Sequence, residues 1–249
     1  MADLFLMLAS VTIVSFVSFV GILFVGLKEA IVGRILMALV GFASGSLIGA
    51  AFFDLIPEAA ERPGQAIWLY IVAGILFFFI MEKFLYWRHC HDENCQVHNF
   101  AYLNLIGDGI HNFVDGMLIA ASFLVSTSLG FTTSLAVVFH EIPQELGDFG
   151  ILLYGGLGKK KALTYNFLSA ITAVIGALVT YALVEGSKVQ ILAELLVPFA
   201  AGGFIYIAAT DLMPELHKRT QAKESLVQMV TLLAGIVLMF ILGVVLPPH

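Results

Sequence analysis

The chain is 249 residues long, 60% hydrophobic and only 12% charged, with a formal net charge of -6. Its mean hydropathy is +0.98, and a soluble domain of this length carries about twice that share of charged residues. The composition leaves no room for a soluble domain, and the 12 Lys and Arg residues form no basic stripe that would suit a nucleic acid.

Apolar runs of roughly 17–25 residues, each enough to cross a bilayer, recur at 4–27, 35–57, 65–87, 100–126, 130–157, 161–184, 190–213 and 226–246. The pattern predicts an all-α integral membrane protein with eight transmembrane helices and one transmembrane domain over 1–249, partnered by the lipid bilayer. The first run opens Met1-Ala2-Asp3-Leu4, without a basic flank, and is too long for a secretory signal, so a retained helix is expected. Trp68 and Trp87 bracket the third run, as interfacial rings do. In the second run, Gly41, Gly45 and Gly49 repeat every fourth residue, a spacing that lets a neighbouring helix approach closely.

Basic residues set the expected orientation. With eight spans, one side holds Arg62 and Lys188, while the other holds Lys28, Arg34, Lys83, Arg88, Lys159, Lys160, Lys161, Lys218, Arg219 and Lys223. That imbalance places both termini outside the cytosol. The small size and lack of added domains point to a bacterial inner membrane.

The chain also repeats itself. ASGSLIGAAFFDLIPE at 43–58 aligns without gaps on AAGGFIYIAATDLMPE at 200–215, sharing Gly45/Gly202, Ala51/Ala208, Asp54/Asp211, Leu55/Leu212, Pro57/Pro214 and Glu58/Glu215 among others. In the expected topology the two copies run in opposite directions, as in transporters built from inverted repeats. Asp54 and Glu58 would then lie near one face, and Asp211 and Glu215 near the other. Helix-end capping is the alternative reading of these acids.

The fourth and fifth runs carry polar stripes. Asn104, Asp108, His111 and Asp115 line one helical face, with Asn112 beside it; His140, Gln144 and Asp148 form another stripe next to Glu141 and Glu145. A carboxylate at the bilayer centre costs roughly 2.5–3.5 kcal/mol on insertion scales. Between Arg88 and Lys159 there is no Lys or Arg. Protons, water, the two histidines or a bound cation must therefore balance the five acids Asp108, Asp115, Glu141, Glu145 and Asp148. Imidazole nitrogen with carboxylate and amide oxygen, and no thiolate, suits zinc, and also iron(II), manganese or cadmium. His111 and Asp115 can reach one ion from one helix; His140, Glu141 and Gln144 can reach it from the other. Asp108, Glu145 and Asp148 would support these groups or line the path. Pro143 gives no N–H to the Phe139 carbonyl, which predicts a kink beside His140. Pro57 and Pro214 would likewise free the carbonyls of Phe53 and Thr210.

At these residues, His111-Asn112-Phe113-Val114-Asp115-Gly116 and His140-Glu141-Ile142-Pro143-Gln144-Glu145-Leu146-Gly147-Asp148, the sequence resembles the ZIP family of divalent-metal transporters. The resemblance implies a 3+2+3 helix arrangement, metal uptake toward the cytosol, and a site between the fourth and fifth spans with ligands His111, Asn112, Asp115, His140, Glu141 and Gln144. A homodimer is an assembly it leaves open. Two departures stand out. Gln144 occupies the place of a second histidine found in one branch, and 161–184 holds no acid to complete a second metal site. The cytosolic loop 88–99 carries His89, Cys90, His91, Cys95 and His98, a set suited to capturing an emerging ion, although a simply solvated loop reads equally well. Two cysteines make no disulfide framework.

The expected mechanism is alternating access or an elevator-like shift about a fixed mid-membrane site, with the ion passing Asp54 and Glu58, binding between His111/Asp115 and His140/Glu141/Gln144, and leaving past Asp211 and Glu215. Two other classes compete. An intramembrane zinc-dependent hydrolase would read His140-Glu141-Ile142-Pro143-Gln144 as a variant of H-E-x-x-H, yet Gln144 replaces its second histidine. A proton-coupled organic-cation carrier would use the acids but leave the histidine pair idle.

Overall fold

The structure, a computed structural model, describes residues 4–26, 29–61, 67–87, 97–187, 190–218 and 221–245. Among them there is no strand. Helix α1 (Leu4–Phe16) passes through a 3-10 turn at Val17–Val20 into α2 (Gly21–Phe24). Helix α3 (Glu29–Ala50) continues through a π turn, Ala51–Leu55, into α4 (Ile56–Ala60), and α5 (Ile67–Trp87) follows. Then come α6 (Val97–Val125) and α7 (Thr127–Tyr154), and α8 (Lys159–Ala170) is parted from α9 (Thr172–Ser187) by Ile171 alone. Helix α10 (Gln190–Ile207) meets a second π turn, Ala208–Leu212, before α11 (Met213–His217), and α12 (Ala222–Val245) closes the described chain.

Helices fall on all eight apolar runs. Five segments are long and apolar enough to cross a membrane: Leu4–Leu23, Ile31–Ala60, Lys159–Val184, Leu195–His217 and Ala222–Val245. Helices α6 and α7, which carry the polar stripes, are not among the five. Much apolar surface faces outward, including Phe5, Trp68, Ile80 and Val244. Surface of that extent needs an apolar partner, and lipid is one.

The two copies of the repeat share a distortion. A proline lacks the N–H that an α-helix needs and its ring crowds the carbonyl four residues back. Just ahead of Pro57, the Ile56 N–H bonds the Ala51 carbonyl; just ahead of Pro214, the Met213 N–H bonds the Ala208 carbonyl. The prolines are thus accommodated by one wider π turn each, at matching positions of the repeat. Such turns recur at functional sites. Each π turn also packs against the helical body of the other copy, Ala51–Leu55 against α10 and Ala208–Leu212 against α3. The distorted end of each copy thus lies against the helix of the other.

Their glycines match in contact as well as in sequence. A Cβ on Gly45 would strike the Leu232 carbonyl of α12, and one on Gly202 the Ile71 carbonyl of α5. Gly41 and Gly49 face α12 too, so the small-residue stripe serves close helix packing. The repeat reaches further than the aligned segments. Ala73-Gly74-Ile75 on α5 corresponds to Ala234-Gly235-Ile236 on α12, and Phe79-Ile80 to Phe240-Ile241. Gly74 abuts the Phe199 carbonyl and Gly235 the Phe42 carbonyl, themselves equivalent positions.

Candidate metal centre

The site is built on α6 and α7. Ser126, extended at φ -154, separates them and caps α7 by accepting the Leu129 N–H at 3.1 Å. A second tie joins the pair: Thr133 Oγ1 donates to Ser122 Oγ at 2.9 Å. Helix α7 runs on unbroken through Pro143, so its polar residues project from one continuous helix. On the far side, α6 meets α9 closely: a Cβ on Gly116 would strike the Ala173 carbonyl and one on Gly176 the Phe113 carbonyl.

Four side chains, His111, Asp115, His140 and Glu141, converge on one point. His111 Nε2 and His140 Nε2 lie 3.4 Å apart. Asp115 Oδ2 lies 3.0 Å from His140 Nε2 and 3.7 Å from His111 Nε2. Glu141 Oε1 lies 3.5 Å from His140 Nε2 and 3.7 Å from His111 Nε2. Four donors bound at about 2.0–2.1 Å in a tetrahedron sit roughly 3.3 Å from one another, so these edges bracket that of a zinc-sized ion. Tautomer chemistry points the same way. His140 Nδ1 lies 3.1 Å from the Ala136 carbonyl, a contact only an N–H can make, which leaves the Nε2 lone pair facing the carboxylates in the neutral ring. Asp115 and His140 are fully buried and Glu141 nearly so; neither Glu141 oxygen, nor Asp115 Oδ1, accepts a hydrogen bond. Buried acceptors left without donors are costly unless a cation or proton meets them.

The remaining polar residues form a second layer of contacts. Asn112 donates through Nδ2 to Asp108 Oδ1 at 2.8 Å, Asn104 to Asp148 Oδ1 at 2.7 Å, and Asn166 to Glu145 Oε2. Each outlying acid thus has an amide partner. Asn112 is turned toward Asp108, and Gln144 lines the cavity that His111 borders. Asp108, Glu141 and Glu145 also offer oxygens within 4.8 Å of one another. The expectation about the sixth run changes accordingly: it supplies no acid, but its Asn166 reaches Glu145 from α8. A lone Asn in an apolar run gives no sequence signal of its partner.

One cavity reaches the site. A cavity of about 560 Å³ is lined by Asp108, His111, Gln144 and Asp148 and also by Glu82, Tyr206, Asp211 and Glu215. Of the four converging residues only His111 borders it. The Glu215 side chain is 43% exposed and pairs with Lys218. In the other copy, Asp54 and Glu58 are buried at 4% and 8% exposure. His89, Cys90, His91 and Cys95 lie outside the described residues, as does the side chain of His98 in α6.

A family model described as ZIP Zinc transporter matches residues 87–243, a stretch that contains His111, Asp115, His140 and Glu141. The chain belongs to the ZIP zinc transporter family. It is 37% identical over 218 residues to "Zinc transporter ZIP13" of Pongo abelii, covering 82% of this chain and 66% of that protein. Against the human protein of the same name it is 32% identical over 260 residues, covering 82% and 70%. Against "Zinc transporter ZIP13 homolog" of Drosophila melanogaster it is 30% identical over 286 residues, covering 87% and 80%. Family and helices together make this an integral membrane protein. The three organisms are animals, and they lend no support to the expected bacterial inner membrane.

Proposed function

We propose that this protein moves a divalent transition-metal ion across a membrane, zinc first among the candidates and iron(II), manganese and cadmium after it. The observation that carries the reading is the convergence of two imidazole nitrogens and two carboxylate oxygens at separations of 3.0–3.7 Å inside the helices. His111, Asp115, His140 and Glu141 would bind the ion directly. Asn112 and Gln144 would enter its coordination by small side-chain rotations, and Asp108, Glu145 and Asp148 would hold the ligands or receive the ion next. Eight crossings in a 3+2+3 arrangement, both termini outside the cytosol, and uptake toward the cytosol fit the basic-residue count and the reciprocal packing of the repeat.

In this reading the ion enters past Glu58 and Asp54, rests in the four-residue site, and leaves past His111 into the cavity that holds Asp211 and Glu215. A mixed nitrogen and oxygen set binds firmly enough to select an ion and loosely enough to release it. Zinc uptake into liposomes carrying the purified protein tests the proposal. His111→Ala and Asp115→Ala should lose more than the roughly 10–100-fold that loss of an outer partner costs a metal site. Uptake at the wild-type rate in both variants would remove the site.

A further inference from the structure

Each half of the repeat is an internal control for the other, and two positions break the match at the mouth of the ion path. Counting from the paired Ala-Gly-Ile segments, Gly243 of α12 is equivalent to Glu82 of α5. Gly243 lies directly against the first copy's acid: a Cβ there would come within 2.7 Å of Asp54 Oδ1. The equivalent position on α5 carries a carboxylate. Glu82 accepts a hydrogen bond from the Tyr206 hydroxyl of α10 and lines the cavity shared by His111, Asp148, Asp211 and Glu215. Tyr206 is itself a departure, because its equivalent is Gly49, which packs on Met239. Two glycines that close one end have thus become an acid and a phenol that furnish the other.

We propose that Glu82 is a transit residue for the metal ion: a carboxylate that draws the hydrated dication from the His111 mouth of the cavity, with Tyr206 as the positioning residue that holds it against the cavity wall. This inference rests on the transport reading above. Ionisable groups within membrane segments are expensive and mark ion paths, and passage requires several moderate sites rather than one deep one. Carboxylate oxygen suits that task for a dication still carrying water. The bond to Tyr206 fixes the direction of the carboxylate without neutralising it, since a phenol brings no positive charge.

The plain alternative is that the pair merely ties α5 to α10. Two substitutions separate these roles, because Glu82→Gln keeps an acceptor for Tyr206 while removing the charge, and Tyr206→Phe removes the tie while keeping the charge. In proteoliposomes of the full chain, Glu82→Gln should lower the maximal zinc uptake rate roughly tenfold. Equilibrium zinc binding to the same purified protein should stay within about twofold, since Glu82 does not touch the four converging ligands. Tyr206→Phe should lower the rate less. Wild-type uptake by Glu82→Gln would overturn the proposal, as would a loss of equilibrium zinc binding equal to its loss of rate. So would a rate loss confined to Tyr206→Phe with a lowered unfolding temperature, the mark of a strut. If the wild-type protein itself moves no zinc while Glu82→Gln binds it normally, the transport reading has failed instead.

Discussion

The segment ending at Glu58 and the segment ending at Glu215 are built alike. Each has a glycine pressed on a neighbouring helix carbonyl, a π turn containing an aspartate, and a proline two residues beyond that turn. Their surroundings differ. Asp54 is shut in beneath Gly243, whereas Asp211 is exposed and shares a cavity with Glu82, Tyr206 and Glu215. The same backbone device therefore serves a closed end and an open end, and the difference lies in a few side chains on the helices packed beside it. A carrier needs this, since two ends open together would make a channel.

Accessibility gives the largest contrast. With Cys90 and Cys95 replaced by Ser, Asp211→Cys should react almost completely with a water-soluble thiol reagent, and Asp54→Cys hardly at all. Equal labelling would show that the two ends are equally open. Acid acts on the site both ends share: its ligands bind metal only when deprotonated, so uptake should fall as the pH is lowered from about 7.5 to about 5.5. Uptake that rises with acid would contradict the histidine site. The glycine contacts test whether the copies are structurally equivalent. Gly45→Leu and Gly202→Leu should each cost about 1–3 kcal/mol or more by overpacking, read as similar drops in unfolding temperature in detergent. A large drop in one alone would mean that only one contact matters. The smallest effect belongs to the amide partners. Asn104→Ala should weaken zinc binding less than Asn166→Ala, because Asn166 is wholly buried against Glu145 and Asn104 is not.

Much of the site was legible in the sequence because helical periodicity is reliable inside apolar runs. His111 and Asp115 lie four apart, His140 and Glu141 lie on the facing helix, and these four do converge. The amide partners were not legible, because Asn166 is distant in sequence from Glu145 and only packing brings α8 to α7. Glu82 was missed for a related reason. Four extra residues separate the paired segments of the second copy, so the α5 and α12 match falls out of register with the D-L-x-P-E alignment. The prolines at 57 and 214 announced a distortion, but whether a helix kinks or widens depends on neighbours that a single sequence does not place. The π turns appear only in three dimensions.

Zinc K-edge X-ray absorption on purified protein loaded with one equivalent of zinc reports the coordinating atoms themselves. Two imidazoles with carboxylate oxygen at about 2.0–2.2 Å are expected, with half the imidazole signal lost in His140→Ala. Sulfur scattering at about 2.3 Å, or an unchanged spectrum in His140→Ala, would place the ion elsewhere and contradict the site between α6 and α7.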